Sequence, residues 1–158
     1  MRRINIPNYG VLTIKNILFD VNGTIQFKGM IADESIERFK ELKKFYTVYL
    51  VSADTRGNLK EIAQKLNIEF IKIESRGMTE AEAKNNELMK LGKEVTIAIG
   101  NGNNDALMLK NALLGIVVVG REGLTTKCLM NSDVILPDIS SVLDFLLDEK
   151  IMIATLRS

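Results

Sequence analysis

The chain has 158 residues, of which 46% are hydrophobic and 26% charged, and a formal net charge of +1. That length and balance suit one packed core, and the near-neutral charge offers no field for nucleic acid or a membrane surface. Histidine is absent and Cys128 is the single cysteine, which removes Ser–His–Asp and Cys–His nucleophile pairs, imidazole acids and bases, His-bound zinc and any intrachain disulfide.

Any catalysis must therefore rest on carboxylates, lysines, hydroxyls, amides, backbone groups or an oxygen-liganded metal. Arg2 and Arg3 are not followed by the apolar stretch of a signal peptide, and no apolar run reaches membrane-spanning length. A lone cysteine is compatible with a reducing compartment. The expected location is cytoplasmic, with neither nucleic acid nor membrane as partner.

In chain order, "INI" and "VLTI" flank Pro7–Gly10 and predict an N-terminal β-hairpin within residues 1–15. "NILF" is the first buried strand. "ADESIERFKELKKF" places Ile36, Phe39, Leu42 and Phe45 at helical spacing, with an acidic start and a basic end. "TVYLVS" is a strand, "GNLKEIAQKL" a helix, "IEFIKI" a strand and "TEAEAKNNELMKLG" a helix closed by Gly92. "VTIAIG", "GIVVVG" and "DVILP" are strands, interleaved with helices over "NDALMLKNA", "GLTTKCLM" and "ISSVLDFLLDE". The tail from 148 to 158 is apolar and has no clear period.

Strands alternate with helices, and the central strands are continuously apolar. The fold class is therefore α/β, a doubly wound, Rossmann-like parallel sheet covered on both faces, forming a single domain over 1–158. Ligands of such sheets bind beyond the carboxyl ends of the strands. Asp20 follows "NILF" and leads into Val21-Asn22-Gly23-Thr24; Ser52 follows "TVYLV"; Gly100 to Asp105 follows "VTIAI"; Lys84 lies early in the preceding helix. Singly, each has a plainer role: Asn22-Gly23 as a turn, Ser52 as a helix start, Lys84 as a surface lysine, Asp105 as a helix N-terminal acid. Together they put an acid, a hydroxyl, a lysine and an amide/acid loop at one rim.

"DVNGT", "LVS", "EAK" and "GNGNNDALML" resemble, in order, the four motifs of the haloacid dehalogenase (HAD) superfamily, whose usual first motif is DxDGT and whose last is often GDGxND. The pattern is most similar to soluble proteins that resemble the phosphorylation domain of P-type ATPases. Their membrane relatives carry DKTGT, also without an acid at the third position. The resemblance implies a Mg²⁺-dependent phosphohydrolase acting on a phosphorylated substrate. Asp20 would be the nucleophile that becomes an aspartyl-phosphate. The backbone of Val21, Asn22, Gly23 and Thr24, with Ser52 and Ala53, would hold the phosphoryl oxygens. Lys84 would offset charge, and Asp20, the Asn22 carbonyl, Asn101 and Asp105 would hold the metal.

Two positions depart from the family. Asn22 replaces the general acid/base, a function worth about 10²–10⁴-fold in rate. Asn101 replaces a direct carboxylate ligand. The resemblance thus implies weak turnover of simple esters, and leaves open a second class: a regulatory or phosphate-binding HAD-fold protein that turns over little or not at all. A dinucleotide-binding reading of "GNGNND" is disfavoured, because Asp105 stands at the third glycine position of that fingerprint. The connections that hold caps in the family are short here, which implies a capless core. An open site suits a macromolecular substrate or a homo-oligomer in which the hairpin or the apolar tail packs on a neighbouring subunit.

Overall fold

The computed structural model describes residues 1–28, 30–74 and 76–158. The hairpin forms as expected: β1 (Arg2–Ile6) and β2 (Gly10–Ile14) pair antiparallel, with Asn8 at φ 60° in the turn. Asparagine tolerates that left-handed conformation because its short side chain bonds locally.

The apolar runs become a six-stranded sheet. β3 (Asn16–Asp20) is followed by α1 (Asp33–Leu42), β4 (Thr47–Ser52), α2 (Leu59–Leu66), β5 (Glu69–Lys72) and α3 (Glu80–Leu91). Then come β6 (Thr96–Gly100), α4 (Ala106–Asn111), β7 (Leu114–Val118), α5 (Thr126–Leu129), β8 (Val134–Leu136), α6 (Ile139–Leu147) and α7 (Glu149–Leu156). The strand order is β5-β4-β3-β6-β7-β8, all parallel. The chain winds outward from β3 to β5 and then returns to its other side at β6. The switch in direction therefore falls at the carboxyl end of β3, where Asp20 stands.

Side chains alternate across the sheet, as the strand period of two requires. Ile17, Phe19, Val48, Leu50, Ile97, Ile99, Ile116 and Val118 meet α1, α2, α6, α7 and the hairpin in one core layer. Leu18, Val51, Ala98 and Val117 meet the helices that carry Ala83, Leu88, Met108 and Cys128 in the other. This second layer is built from smaller residues, so its helices sit close. At Gly115 a side-chain carbon would collide with the Leu109 carbonyl of α4, so only glycine permits that approach.

The helix that bears Lys84 is firmly started. Thr79 and Glu82 form a reciprocal capping box, which satisfies backbone donors at its first turn. Gly92, at φ 89°, ends it.

The tail resolves as α7. Its Met152 is fully buried, and Ile153 and Leu156 pack on the same core as the hairpin residues Ile4, Ile6, Leu12 and Ile14. Burying a side chain of that kind contributes about 1.5–3 kcal/mol, which gives the helix a partner within its own chain. Arg2 adds a hydrogen bond to the Leu147 carbonyl and an ion pair with Glu149. Both the hairpin and the tail therefore have a packing partner within their own chain. Among the described residues no helix is long and apolar enough to cross a membrane.

Candidate active site

Asp20 ends β3 in register with Val51 of β4, and Ser52 is the next residue of that neighbouring strand. Across the sheet, β6 delivers Gly100 and Asn101, and the loop to Asp105 follows. Lys84 enters from the second turn of α3. Its ammonium lies 2.6 Å from Asp20 Oδ1 and 2.7 Å from Asp105 Oδ1, fully buried. Glu80, one turn earlier, stands 3.6 Å from the same nitrogen and accepts a hydrogen bond from Asn104 Nδ2 at 2.7 Å. Asp20 and Ser52 thus end neighbouring strands, Asp105 lies on the loop after the adjoining strand β6, and Lys84 reaches in from α3; Asp20, Lys84 and Asp105 share one buried ion cluster.

The electrostatics follow from burial. Desolvation first, and the Asp105 charge second, push the Asp20 carboxyl up to about 7, against the pull of Lys84 and Thr24. Burial opposes the charge on Lys84, yet Asp20 and Asp105 outweigh it and raise the ammonium above the ordinary lysine range.

The turn after Asp20 is a folded loop rather than a hairpin turn. The Val21 carbonyl accepts from the N–H groups of Thr24, Ile25 and Gln26, and Gly23 N–H donates to the Gln26 carbonyl. Two of the four backbone donors expected to cradle phosphate, Gly23 and Thr24, are thus engaged inside the loop. Val21 and Asn22 are left for the cleft, together with Ala53 beside Ser52. Ser52 Oγ accepts from Asp54 N–H at 3.0 Å, which leaves its own hydrogen available to donate. The short connection up to Asp33 folds as a small flap, with bridges between Asn22 and Gln26 and between Phe27 and Met30.

Asn22 is held by neighbours that carry no sequence signal. Gln26 Nε2 donates to Asn22 Oδ1 at 2.7 Å, and Asn58 Nδ2 donates to Gln26 Oε1 at 3.1 Å. Asp54, at φ 59°, accepts from Leu59 N–H and so fixes the start of α2 where Asn58 sits. This chain of amides leaves the Asn22 NH₂ as a donor with no proton to transfer. Gln26, Asn58 and Glu80 were not legible as site residues, because isolated polar positions on connections have no periodicity to betray them.

Whether the donor set fits a divalent cation can be judged from Thr24. Its hydroxyl lies 3.1 Å from Asp20 Oδ2 and 3.4 Å from Asn101 Oδ1, so these two oxygens converge on one small group. An oxygen-only set of carboxylate, amide and backbone carbonyl fits a hard cation such as Mg²⁺. It is sparse: among the described residues no three His, Cys, Asp or Glu side chains gather as a metal cage. Asp105 has Oδ2 engaged by the N–H groups of Asn101 (2.9 Å) and Gly102 (3.0 Å) and Oδ1 by Lys84. It shapes the loop that presents Asn101, with one oxygen lone pair to spare.

Beneath that loop, Cys128 Sγ donates to the Gly102 carbonyl at 2.8 Å and is fully buried. Burial foremost pushes the thiol up to about 11. In the native protein at neutral pH, a thiol reagent such as a disulfide chromogen is expected to find no reactive group, and one equivalent should appear only on unfolding in denaturant. Stoichiometric reaction within the mixing time of a native sample would contradict this packing.

No protein-family model matches the chain. An uncharacterised protein of Methanocaldococcus jannaschii is 56% identical over 61 residues, 39% of this chain and 66% of the relative. Among solved structures, a 3-deoxy-D-manno-octulosonate 8-phosphate phosphatase from Moraxella catarrhalis, in complex with magnesium, phosphate and the sugar, superposes with a TM-score of 0.68 at 18% identity, covering 91% of this chain and 94% of that one. The cobalt-bound form of a deoxy-D-mannose-octulosonate 8-phosphate phosphatase from Haemophilus influenzae gives 0.68 at 18% identity over 87% and 90%. The catalytic domain of a CPx-ATPase gives 0.55 at 22% identity over 72% and 44%. The sheet order and these superpositions thus lead to one conclusion: the chain has the haloacid dehalogenase-like fold of these solved phosphatases.

Proposed function

We propose that the chain is a cytoplasmic, Mg²⁺-dependent phosphohydrolase that works through an aspartyl-phosphate on Asp20. The observation that carries this reading is the buried ion cluster at the switch point, Lys84 between Asp20 and Asp105. The phosphatases of like fold support the class of reaction.

An Asp20 oxygen attacks phosphorus, and the bond to the leaving oxygen breaks with its electron pair on the leaving group. Water then attacks the aspartyl-phosphate, releases inorganic phosphate and restores the carboxylate. Lys84 holds Asp20 in place and offsets charge as the two anions approach. Thr24 orients the other Asp20 oxygen. The N–H groups of Val21, Asn22 and Ala53 and the Ser52 hydroxyl supply donors to the phosphoryl oxygens. A bound divalent cation would be held by Asp20, the Asn22 carbonyl and Asn101, with Asp105 behind them, and would neutralise phosphoryl charge.

The Asn22 amide, tied to Gln26, cannot protonate a leaving group. Substrates with good leaving groups, acyl phosphates among them, are therefore favoured over alkyl esters. A panel of acyl, aryl and alkyl phosphates with Mg²⁺, Mn²⁺ and Co²⁺ tests the reading; no turnover with any pair would sink it. Asn22→Asp restores an acid/base and should raise alkyl and aryl ester turnover by about 10²-fold, the low end of what such a group contributes. Acetyl phosphate should gain much less. Steady-state rates on both substrates decide, and an unchanged ester rate in a folded variant would remove the role given to this loop.

The amide chain Asn22–Gln26–Asn58 also favours a second reading, a protein that becomes phosphorylated and holds the phosphoryl group. A burst of one equivalent followed by slow release separates it from steady turnover.

A further inference from the structure

We infer that Gln26 is a positioning residue: it turns the Asn22 amide so that its NH₂ faces the cleft as a fixed hydrogen-bond donor to the oxygen that leaves phosphorus. This deepens the phosphohydrolase reading above and rests on it. Asn22 and Gln26 lie side by side because the Gln26 backbone is tied to both neighbours of Asn22. Its N–H donates to the Val21 carbonyl at 3.1 Å, and its carbonyl accepts from Gly23 N–H at 3.0 Å. Those backbone bonds do not depend on the side chain at 26. Which end of the Asn22 amide turns outward does: Gln26 Nε2 donates to Asn22 Oδ1 at 2.7 Å and so takes the oxygen.

Gln26 is itself held from behind. It is 2% exposed, so its amide relies on protein partners rather than on water. Its Oε1 accepts from Asn58 Nδ2 at 3.1 Å, which leaves Nε2, and not the oxygen, for Asn22. Asn58 stands at the N-terminal cap of α2, where an asparagine side chain ordinarily accepts from the helix's own N–H groups. It makes no such bond, and Leu59 N–H donates to Asp54 Oδ1 instead. The cap side chain is thereby diverted to Gln26, and the relay joins the loop after β3 to the loop after β4.

The other end of the Asn22 amide is open. Asn22 is half-buried, and its NH₂ has no acceptor among the described residues. None of their buried side-chain nitrogens or oxygens lacks a partner, so this NH₂ lies on the solvent side of the loop, just beyond Asp20. As an Asp20 oxygen bonds to phosphorus, the bond to the leaving oxygen breaks and its electron pair stays on that oxygen. An amide N–H stabilises the growing charge without giving up its proton, and the leaving group departs as an anion that takes any proton from water. The benefit grows with the charge localised on that oxygen. It is therefore larger for a phenolate than for a carboxylate, whose charge is shared between two atoms.

The test is kcat/KM for phenyl phosphate and acetyl phosphate, with Mg²⁺, in wild type, Gln26→Glu, Gln26→Met, Asn22→Ala and each Gln26 variant combined with Asn22→Ala. A carboxylate at position 26 accepts and does not donate, so Gln26→Glu draws Asn22 Nδ2 inward and presents Oδ1 to the leaving oxygen. It is expected to lower kcat/KM for phenyl phosphate by about 10²-fold, the scale for loss of one transition-state donor, and for acetyl phosphate much less. Gln26→Met only frees the amide; it should lose less, with the same preference between substrates, and it carries the comparison should the buried carboxylate prevent folding. In the Asn22→Ala background neither Gln26 variant should change either rate, because Gln26 acts through that amide. Equal losses on both substrates, losses that persist in Asn22→Ala, or an unchanged or raised phenyl phosphate rate in the Gln26 variants overturn the positioning role and leave the phosphohydrolase reading in place. So does a wild type active on acetyl phosphate and inert toward phenyl phosphate. A wild type inert toward both overturns the role and the reading together.

Discussion

Asp20→Asn is expected to lower phosphatase turnover by on the order of 10⁶-fold, the scale seen when an enzyme loses its nucleophile. The amide oxygen does not form an ester with phosphorus, and no second carboxylate is placed to replace it, since Asp105 is held by Lys84 and the backbone of its own loop. The fold should survive. Asparagine keeps an oxygen for Lys84 and presents an NH₂ to the Thr24 hydroxyl, which can accept. Because the folded state lifts the Asp20 carboxyl from 3.8 to about 7, it binds that proton more tightly than the unfolded chain does. Metal-free wild type should therefore lose stability as pH rises from about 4 to about 7, and the variant should lack that slope. Denaturant midpoints across this range, beside single-turnover rates, check both halves. Retained turnover would place the nucleophile elsewhere.

Lys84→Met carries the second large effect. The substitution leaves Asp20 and Asp105, 4% and 0% exposed, facing each other with the shared cation gone. Breaking a buried pair by removing one partner costs about 3–5 kcal/mol. The raised Lys84 contributes stability that is present below the ordinary lysine pKa and lost as pH rises through its folded value, so at pH 8 the full deficit should appear. At pH 5 the deficit should shrink as the freed carboxylates take up protons. Adding Asp105→Asn to Lys84→Met should recover part of the loss at pH 8, because one stranded charge is removed. Equal denaturant midpoints for wild type and Lys84→Met at pH 8 would show that the cluster contributes nothing to the fold. Activity should also fall, by about 10²–10³-fold, the scale for losing one electrostatic stabiliser.

What could be read in advance divides along physical lines. Asp20 and Ser52 were legible because each ends a continuously apolar run that reads as a buried strand, and strand ends define the rim. Lys84 was legible only through its place in the ordered motifs; nothing in "EAEAKNNE" distinguishes it from an exposed helix lysine until α3 packs against α4. Gln26, Asn58 and Glu80 stayed hidden, since their neighbours depend on how the connections and α3 pack and not on any repeat. The tail was ambiguous for a similar reason: "KIMIATL" is apolar on more than one side, and it is the lodging of Met152 under the hairpin that selects a helix on its own core. The engagement of Gly23 and Thr24 N–H groups within their loop likewise follows from the turn geometry, which the letters Asn-Gly-Thr do not specify.

The glycine at 115 reaches further than its place in the core suggests. α4 rests on β7 at that point with its backbone almost touching the strand, and α4 begins directly after Asp105. The thickness of one peptide layer thereby gauges how deep the Asp105 carboxylate lies, and with it the reach required of Lys84. A position with no chemistry of its own works as a spacer gauge for the ion cluster. Change tolerated in the flap and the surface loops should thus be refused at this buried site, and lineages that drift in substrate would still keep the same interlayer distance.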